Sequence, residues 1–555
     1  MIAPLRFILV ALACGGAFVS ARPASAQEPA KNDAVAKKAF DPKYLSTPNA
    51  AATFLDPQVS CYSCHQATDP NQAEMYRERG TLKRVTLVET ARWRDLDFHT
   101  QAAQALTTPR AKAMGELLGY DVAKSTQCLN CHSGHQKITA QADAPPTLAA
   151  PRDALVKHGV SCQACHGPAE KWWTAHTGAA EADADWWKKS SDDKHKLGLL
   201  DVRHPVTRAQ ICLSCHLGSS SEGKILTHEM YAAGHPPLGN FEVEAFVAGM
   251  PYHGVLIEEK TKSEPTAHQD WYKAGDYYRT RSALTGSIVA LRMQMQLMLD
   301  ETTWSMAAAE AARGRADGTK PAVSGDLHRP RWPELAHFNC ASCHHELAAD
   351  RAAPDRAGGA SPGRPMFRAW PTVLYEVSML GSGLERPAES IFKPLETALA
   401  NEPFGRQYAG PSDVQSAAQK VVDRLDRELA AFEKMPLDRA AALKYLTAIA
   451  TVGLSRHVEY EEARQLAFAA NTILEELKRT PGEPVVSESV ERAVAALGAG
   501  FELAFPPKPP KSTTVSYSPA LLKAGSASLD AAMRYDESVF RDRLRNLESA
   551  LKSKP

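Results

Sequence analysis

Ten of the eleven cysteines in this chain of 555 residues fall into five copies of one pattern, Cys-x-x-Cys-His. They are Cys61-Tyr-Ser-Cys64-His65, Cys128-Leu-Asn-Cys131-His132, Cys162-Gln-Ala-Cys165-His166, Cys212-Leu-Ser-Cys215-His216 and Cys340-Ala-Ser-Cys343-His344. From the composition, chance would supply about 0.01 such pattern in a chain of this size. Disulfides or zinc would have to explain why a histidine follows every second cysteine, whereas c-type haem attachment requires it. Two thiols at this spacing lie on one side of a short helical turn, at the separation of the two vinyl groups of one porphyrin. The next residue then points its imidazole at the iron from the proximal face. The motifs predict five covalently bound haems c, with His65, His132, His166, His216 and His344 as metal ligands.

Five haems between residues 61 and 344 are too dense for a separate globin-sized pocket each, so the porphyrins must supply much of the core. A carrier of electrons wants a second imidazole on most irons, because two imidazoles hold ferric and ferrous iron in similar low-spin geometry. Of 19 histidines, 14 remain for that task. His99 opens a helical pattern (Ala102, Ala105, Leu106, Ala111, Met114) running up to the second motif. His176 follows the third motif by ten residues, beside Trp172 and Trp173, which suit packing on a haem edge. His228 and His235 stand seven residues apart, two helical turns on one face, and Gly234 with its small neighbours permits close approach of a porphyrin. His337, a weaker candidate, closely precedes the fifth motif. These five are the distal candidates. His135 and His345 sit too near their own motif histidines to reach the opposite face of the same haem. His204, His253 and His328 are weaker candidates. His195, His268 and His457 lie in charged or helical surroundings that suit solvated or core positions. Met293, Met295, Met298 and Met306 form a stripe read as core packing rather than as iron ligands.

The elements that must hold these residues are helical. No strand-period pattern of any length appears, so the fold class is mainly α: short segments wrapped around stacked c-type haems, followed by an all-helical C-terminal region. Residues 27–50 read as a loose polar leader, and 27–350 as the pentahaem domain with a helical insertion at about 281–318. The Gly/Pro-rich stretch 351–364 is the best domain boundary. Beyond it, the haem-free domain 365–555 shows helical periodicity over 388–403, 412–433, 437–453, 458–478, 487–503 and 518–553. Its breaks fall at Pro436, Pro481-Gly482 and Pro506 to Pro510. With one histidine and no cysteine it cannot hold a c-type haem covalently; covering haem edges, docking a partner and pure structure are its open roles.

The chain begins with a signal peptide over residues 1–26: Arg6, an apolar stretch at 7–19, and Ala24-Ser25-Ala26 as cleavage site. The expected location is therefore periplasmic or otherwise exported. Ala11-Leu12-Ala13 before Cys14 matches a lipobox poorly, which disfavours a lipid anchor. No other apolar run approaches the roughly 18 residues of a transmembrane span. The 64 basic and 64 acidic residues cancel, and that balance argues against nucleic acid as partner. Removing Arg6 and Arg22 with the signal peptide leaves 62 basic against 64 acidic residues, a net charge of −2. Each ferric bis-His haem with ionised propionates adds about −1, which brings the holoprotein to about −7.

Four stretches resemble the multihaem cytochrome c family typified by cytochrome c-554 (cytochrome c-554/c-prime-like). They are Gly159-Val-Ser-Cys-Gln-Ala-Cys-His-Gly-Pro168 with His176 after it, and Thr227-His-Glu-Met-Tyr-Ala-Ala-Gly-His-Pro236 running on to Phe241-Glu242. Trp93 and His99 before Cys128, and Phe338-Asn-Cys-Ala-Ser-Cys-His-His345, complete the set. The resemblance covers about 50–350. It implies a mainly helical fold around closely stacked haems, mostly bis-His, acting in periplasmic electron transfer, with distal roles for His99, His176 and His235 (or His228). The chain departs from that family in its fifth motif, in the 128 residues between Cys212 and Cys340, and in its long haem-free tail.

Two function classes follow. The first is a periplasmic pentahaem cytochrome, a carrier rather than a catalyst, passing electrons between a donor and an acceptor protein or within a membrane-associated complex. The alternative is a multihaem oxidoreductase acting on a small nitrogen or sulfur compound at one five-coordinate haem. Pentahaem nitrite reductases have this haem number, but their active haem typically uses a CxxCK motif, and all five motifs here end in histidine.

Overall fold

Helices make up about 71% of the structure, a computed structural model, and no strand occurs among the described residues. Described are residues 61–62, 65–66, 88–134, 157–177, 186, 189–254, 275–313, 332–340, 344, 367–383, 388–400, 410–480, 485–501, 532 and 534–553. All belong to one unit, Phe40–Pro555. The expected signal peptide 1–26, the leader 27–50, Cys64, Cys343, His135, His268, His328, His345, the 351–364 loop and the breaker Pro506 to Pro510 lie outside the described residues.

The motif region is built from short helices. In chain order they are α1 (Glu89–Leu96), a 3-10 helix (Phe98–Thr107), α2 (Pro109–Leu118), α3 (Thr126–His132), α4 (Cys162–His166), α5 (Glu170–Thr177), α6 (Ser191–Lys196), α7 (Pro205–His216), α8 (His228–Ala232) and α9 (Val243–Gly249). The longest, α7, has 12 residues, and helices of that size do not hold themselves together in water. Local signals start them. Asp97 caps the 3-10 helix, Thr108 and Pro109 open α2, Ser190 caps α6, Thr227 caps α8 and Glu242 caps α9. Each supplies an oxygen to main-chain N–H groups that a helix start leaves unpaired. Their shared apolar packing is thin. Around α5 it amounts to Ala169, Trp172 and Trp186 with a few partly buried neighbours.

The remainder is a conventional helical core. Tyr278–Arg313 (α10) is a single helix of 36 residues. It is followed by a 3-10 turn (Leu335–His337), α11 (Trp370–Ser382), α12 (Ala388–Ala400), α13 (Pro411–Lys434), α14 (Arg439–Ser455), α15 (Tyr460–Arg479), α16 (Glu488–Gly498) and α17 (Glu537–Lys552). From Thr280 to Thr302 nearly every side chain of α10 is buried, because α7, α11, α13 and α15 pack around it. Met293, Met295 and Met298 fill that core. Five expected tail helices appear close to their predicted limits. The helix α11 was not among them; eight of its residues are buried. The same apolar core runs from Val206 and Leu213 of α7, through Leu284 and Leu291, to Leu544 and Leu547 of α17. A motif-bearing helix and the tail therefore share one core.

The joint is polar at its edge. Glu476 of α15 accepts hydrogen bonds from the N–H groups of Arg279 and Thr280, both at 2.8 Å, and from the Thr280 hydroxyl at 2.7 Å. It thus caps the start of α10 from a distant helix. Burial pushes its carboxyl up to about 7 from the usual 4.5. A raised native pKa means the folded chain keeps a proton that the unfolded chain releases, so stability falls as pH rises through that window. Two outcomes are expected in melts of the holoprotein. Glu476→Ala costs about 1–3 kcal/mol at pH 5, because buried donors lose their acceptor. The wild type also loses stability relative to Glu476→Gln between pH 5 and 8; a constant difference over that range refutes the titration of this group.

Candidate functional site

Three motifs end helices: α3 closes on His132, α4 on His166 and α7 on His216. The helical turn places both cysteines and the histidine of each motif on adjoining positions, as the spacing requires. The eight described cysteines, Cys61, Cys128, Cys131, Cys162, Cys165, Cys212, Cys215 and Cys340, are free of disulfides.

The histidines come in twos. His65 faces His176 with ring centres 6.2 Å apart and planes at 20°. His216 faces His99 at 6.2 Å and 84°. His132 faces His235 at 6.4 Å and 83°, and His344 faces His228 at 6.2 Å and 25°. Direct ring stacking would bring the centres much closer. A metal between two imidazoles needs two bonds of about 2.0 Å, plus roughly 1.1 Å from each nitrogen to its ring centre, hence about 6.2 Å. The observed gaps have that size, so these residues fit a metal held axially between them. His253 stands near His166: burial, then the His253 charge, pull the His166 imidazole down to about 4. In sequence His253 lies in a loop after Pro251 with no periodic signal around it, which is why it ranked low. His337 stands elsewhere: its Nε2 is 2.6 Å from Glu301 Oε1, and it is the one distal candidate with no motif histidine among its described ring contacts.

Burial lowers five of these imidazoles, His132, His166, His176, His216 and His235, and so favours their neutral, metal-binding form. Burial pulls His216 down to about 3, and His176 and His235 to about 4. His132 is lowered by burial despite the hydrogen bond from its Nδ1 to the Ala102 carbonyl at 2.7 Å. His65 and His99 go the other way: against burial, Glu89 raises His65, and Asp97 raises His99, with Oδ1 2.8 Å from Nδ1. The indole of Trp93 lies parallel to the His99 ring at 5.6 Å and packs its edge on His253 at 5.4 Å.

Different motifs also meet. Cys61 lies beside Cys162, Cys131 beside Cys215, and Cys165 beside Cys212 and Cys215. His228 and His235 sit at the two ends of one short segment built on α8. Motifs two and three pack through Gly134: its φ is +69°, and a Cβ there would lie 2.4 Å from the Ala164 Cβ.

Residues 60–167 and 161–234 match the family cytochrome c554 and c-prime. No curated protein and no solved structure matches the chain. The family match implies covalently bound haem c and covers the first four motifs, leaving the fifth and the tail outside it. No helix among the described residues is long and apolar enough to cross a membrane.

Gly134→Ala is expected to lower the melting temperature of the holoprotein, since the substitution both strains a left-handed backbone and forces apart two motif helices. A cost of about 1–3 kcal/mol is the expected scale. An unchanged melt would mean that Gly134 and Ala164 do not meet.

Proposed function

With residues 60–234 cytochrome c-554-like and so a c-type cytochrome region, we propose that the whole chain is an exported pentahaem electron carrier. The observation that carries this reading is the 6.2–6.4 Å gap in four histidine pairs. Each clamp would hold one haem c through its two cysteines, including Cys64 and Cys343. The axial pairs are His65 with His176, His132 with His235, His166 with His253, His216 with His99, and His344 with His228. His337, bonded to Glu301, is left out as a ligand.

When bound, the porphyrins supply one-electron redox chemistry; the protein's part is to hold them in line and keep water from the irons. The sulfur contacts and the shared α8 segment order the clamps as first, third, fourth, second, fifth. Neighbouring clamps share side chains all along that series, which favours hopping between adjacent porphyrin edges. Two protein ligands on each iron leave no coordination position for a substrate, and this favours carriage over the oxidoreductase alternative. Donor and acceptor would be redox proteins. The region 27–350 acts as the haem-bearing part and 365–555 as a haem-free helical part that buttresses it through the core shared by α7 and α10.

The intact mass of the mature protein is expected to exceed the apo-chain by five haems; four or fewer refutes the count. Ferric EPR is expected to show only low-spin signals of two classes. Near-parallel imidazole planes split the two iron dπ orbitals and give rhombic signals, while crossed planes leave them nearly degenerate and give widely anisotropic ones. His235→Ala is expected to turn one iron high-spin with the other four unchanged. A high-spin signal in the wild type that shifts with nitrite or hydroxylamine would instead establish the oxidoreductase.

A further inference from the structure

We propose that Asp97 makes the iron site between His99 and His216 the lowest-potential member of the series. The proposal rests on the axial pairing described above and adds a ranking to it. Asp97 is 2% exposed. Its Oδ1 accepts from the His99 main-chain N–H at 2.9 Å and stands 2.8 Å from the His99 Nδ1. Its Oδ2 is buried without a hydrogen-bond partner, so most of the carboxylate's charge is directed at one imidazole. Thr100 Oγ1 donates to the Asp97 carbonyl at 2.8 Å and holds the turn, and Trp93 lies flat on the ring at 5°. The imidazole is thus fixed in both plane and tilt.

A carboxylate on the Nδ1–H draws that proton toward itself and leaves the Nε2 a stronger electron donor. A stronger donor, with a buried negative charge close by, favours ferric over ferrous iron and lowers the potential. The other ligand histidines with a resolved Nδ1 hydrogen bond use neutral main-chain carbonyls. His132 is 2.7 Å from Ala102 O, His235 is 2.7 Å from Pro236 O, and His253 is 3.2 Å from Pro251 O. His65 also has a carboxylate beside it, and Glu89 raises its pKa against the pull of burial; at 3.8 Å, against 2.8 Å for Asp97, that carboxylate draws less on the Nδ1 proton. Among the described residues, His337 and Glu301 form another close buried pair, and no motif histidine is among the described ring contacts of His337. Because the His99–His216 site is third of five in the proposed order, its low potential sets an uphill step at the centre. Electrons would then reside on either side of it rather than on it.

The test uses the holoprotein with five haems and low-spin iron verified in the same sample. In a reductive titration followed by EPR, the last ferric signal to vanish is expected to be of the widely anisotropic class, as the 84° ring angle requires. In Asp97→Asn, which keeps an acceptor for the His99 main-chain N–H and loses the charge, that component is expected to become at least about tenfold easier to reduce, 59 mV for one electron. Asp97→Ser is expected to shift the same component in the same direction. A rhombic signal as the last to vanish overturns the proposal, and so does a variant in which all five components stay within about twofold of wild type. A haem count below five, or high-spin iron in the wild type, would instead strike the axial pairing on which the ranking rests.

Discussion

The gap between facing imidazole rings is the constraint on which the rest of the structure depends. Four pairs stand 6.2–6.4 Å apart, too far to stack and at the width of a metal with its two bonds. Keeping such a gap open is costly for helices as short as α4 and α8, which have little apolar surface of their own to bury. The chain meets that cost by crossing elements: the 3-10 helix presents His99 to α7, α5 presents His176 to the first motif, and α8 serves two motifs at once. Each motif is thus closed by a segment distant in sequence, and none folds as an independent unit.

What holds those crossings in place is the long helix α10 with its partners. Its first six turns are buried among α7, α11, α13 and α15, so the fourth motif is anchored to the largest apolar core in the molecule. Polar ties fix the register. Arg281 pairs with Asp276 and reaches the main-chain carbonyls of Phe432 and Met435, while Glu476 caps the helix start. Buried charges of this kind are stable only when fully partnered, and here their partners come from both sides of the joint. At the fifth motif the tail also touches the motif side: Asn339 donates to both carboxylate oxygens of Glu459, at the start of α15, and Arg368 reaches the Leu238 carbonyl.

Charge around the rings is graded rather than uniform. Burial lowers His132, His176, His216 and His235, whereas carboxylates raise His65 and His99, and His99 alone has its carboxylate at full hydrogen-bonding distance among the pairs. The shortest of these contacts comes from Asp97 in the cap of the 3-10 helix, the element that also positions the ring. Trp93 ties this ring to His253, which makes the centre of the arrangement the most rigidly specified part of it.

The cysteine spacing alone pointed to c-type haem chemistry, because the pattern that thioether attachment and proximal ligation require is local: five residues suffice, and no fold is needed to recognise it. Helix periodicity likewise revealed α12 to α16 near their limits and the C-terminal part of the expected 518–553 helix as α17, but not α11. The sequence nominated His99, His176, His228 and His235 from helical context, and the structure sets each of them opposite a motif histidine. It nominated His337 from nearness in the chain, and ranked His253 low because a loop has no period to read. Only the tertiary structure decided which ring faces which, that Glu301 takes His337, and that the sulfurs of the second and fourth motifs meet. Those are contacts between residues tens to hundreds of positions apart, and a local pattern carries no record of them.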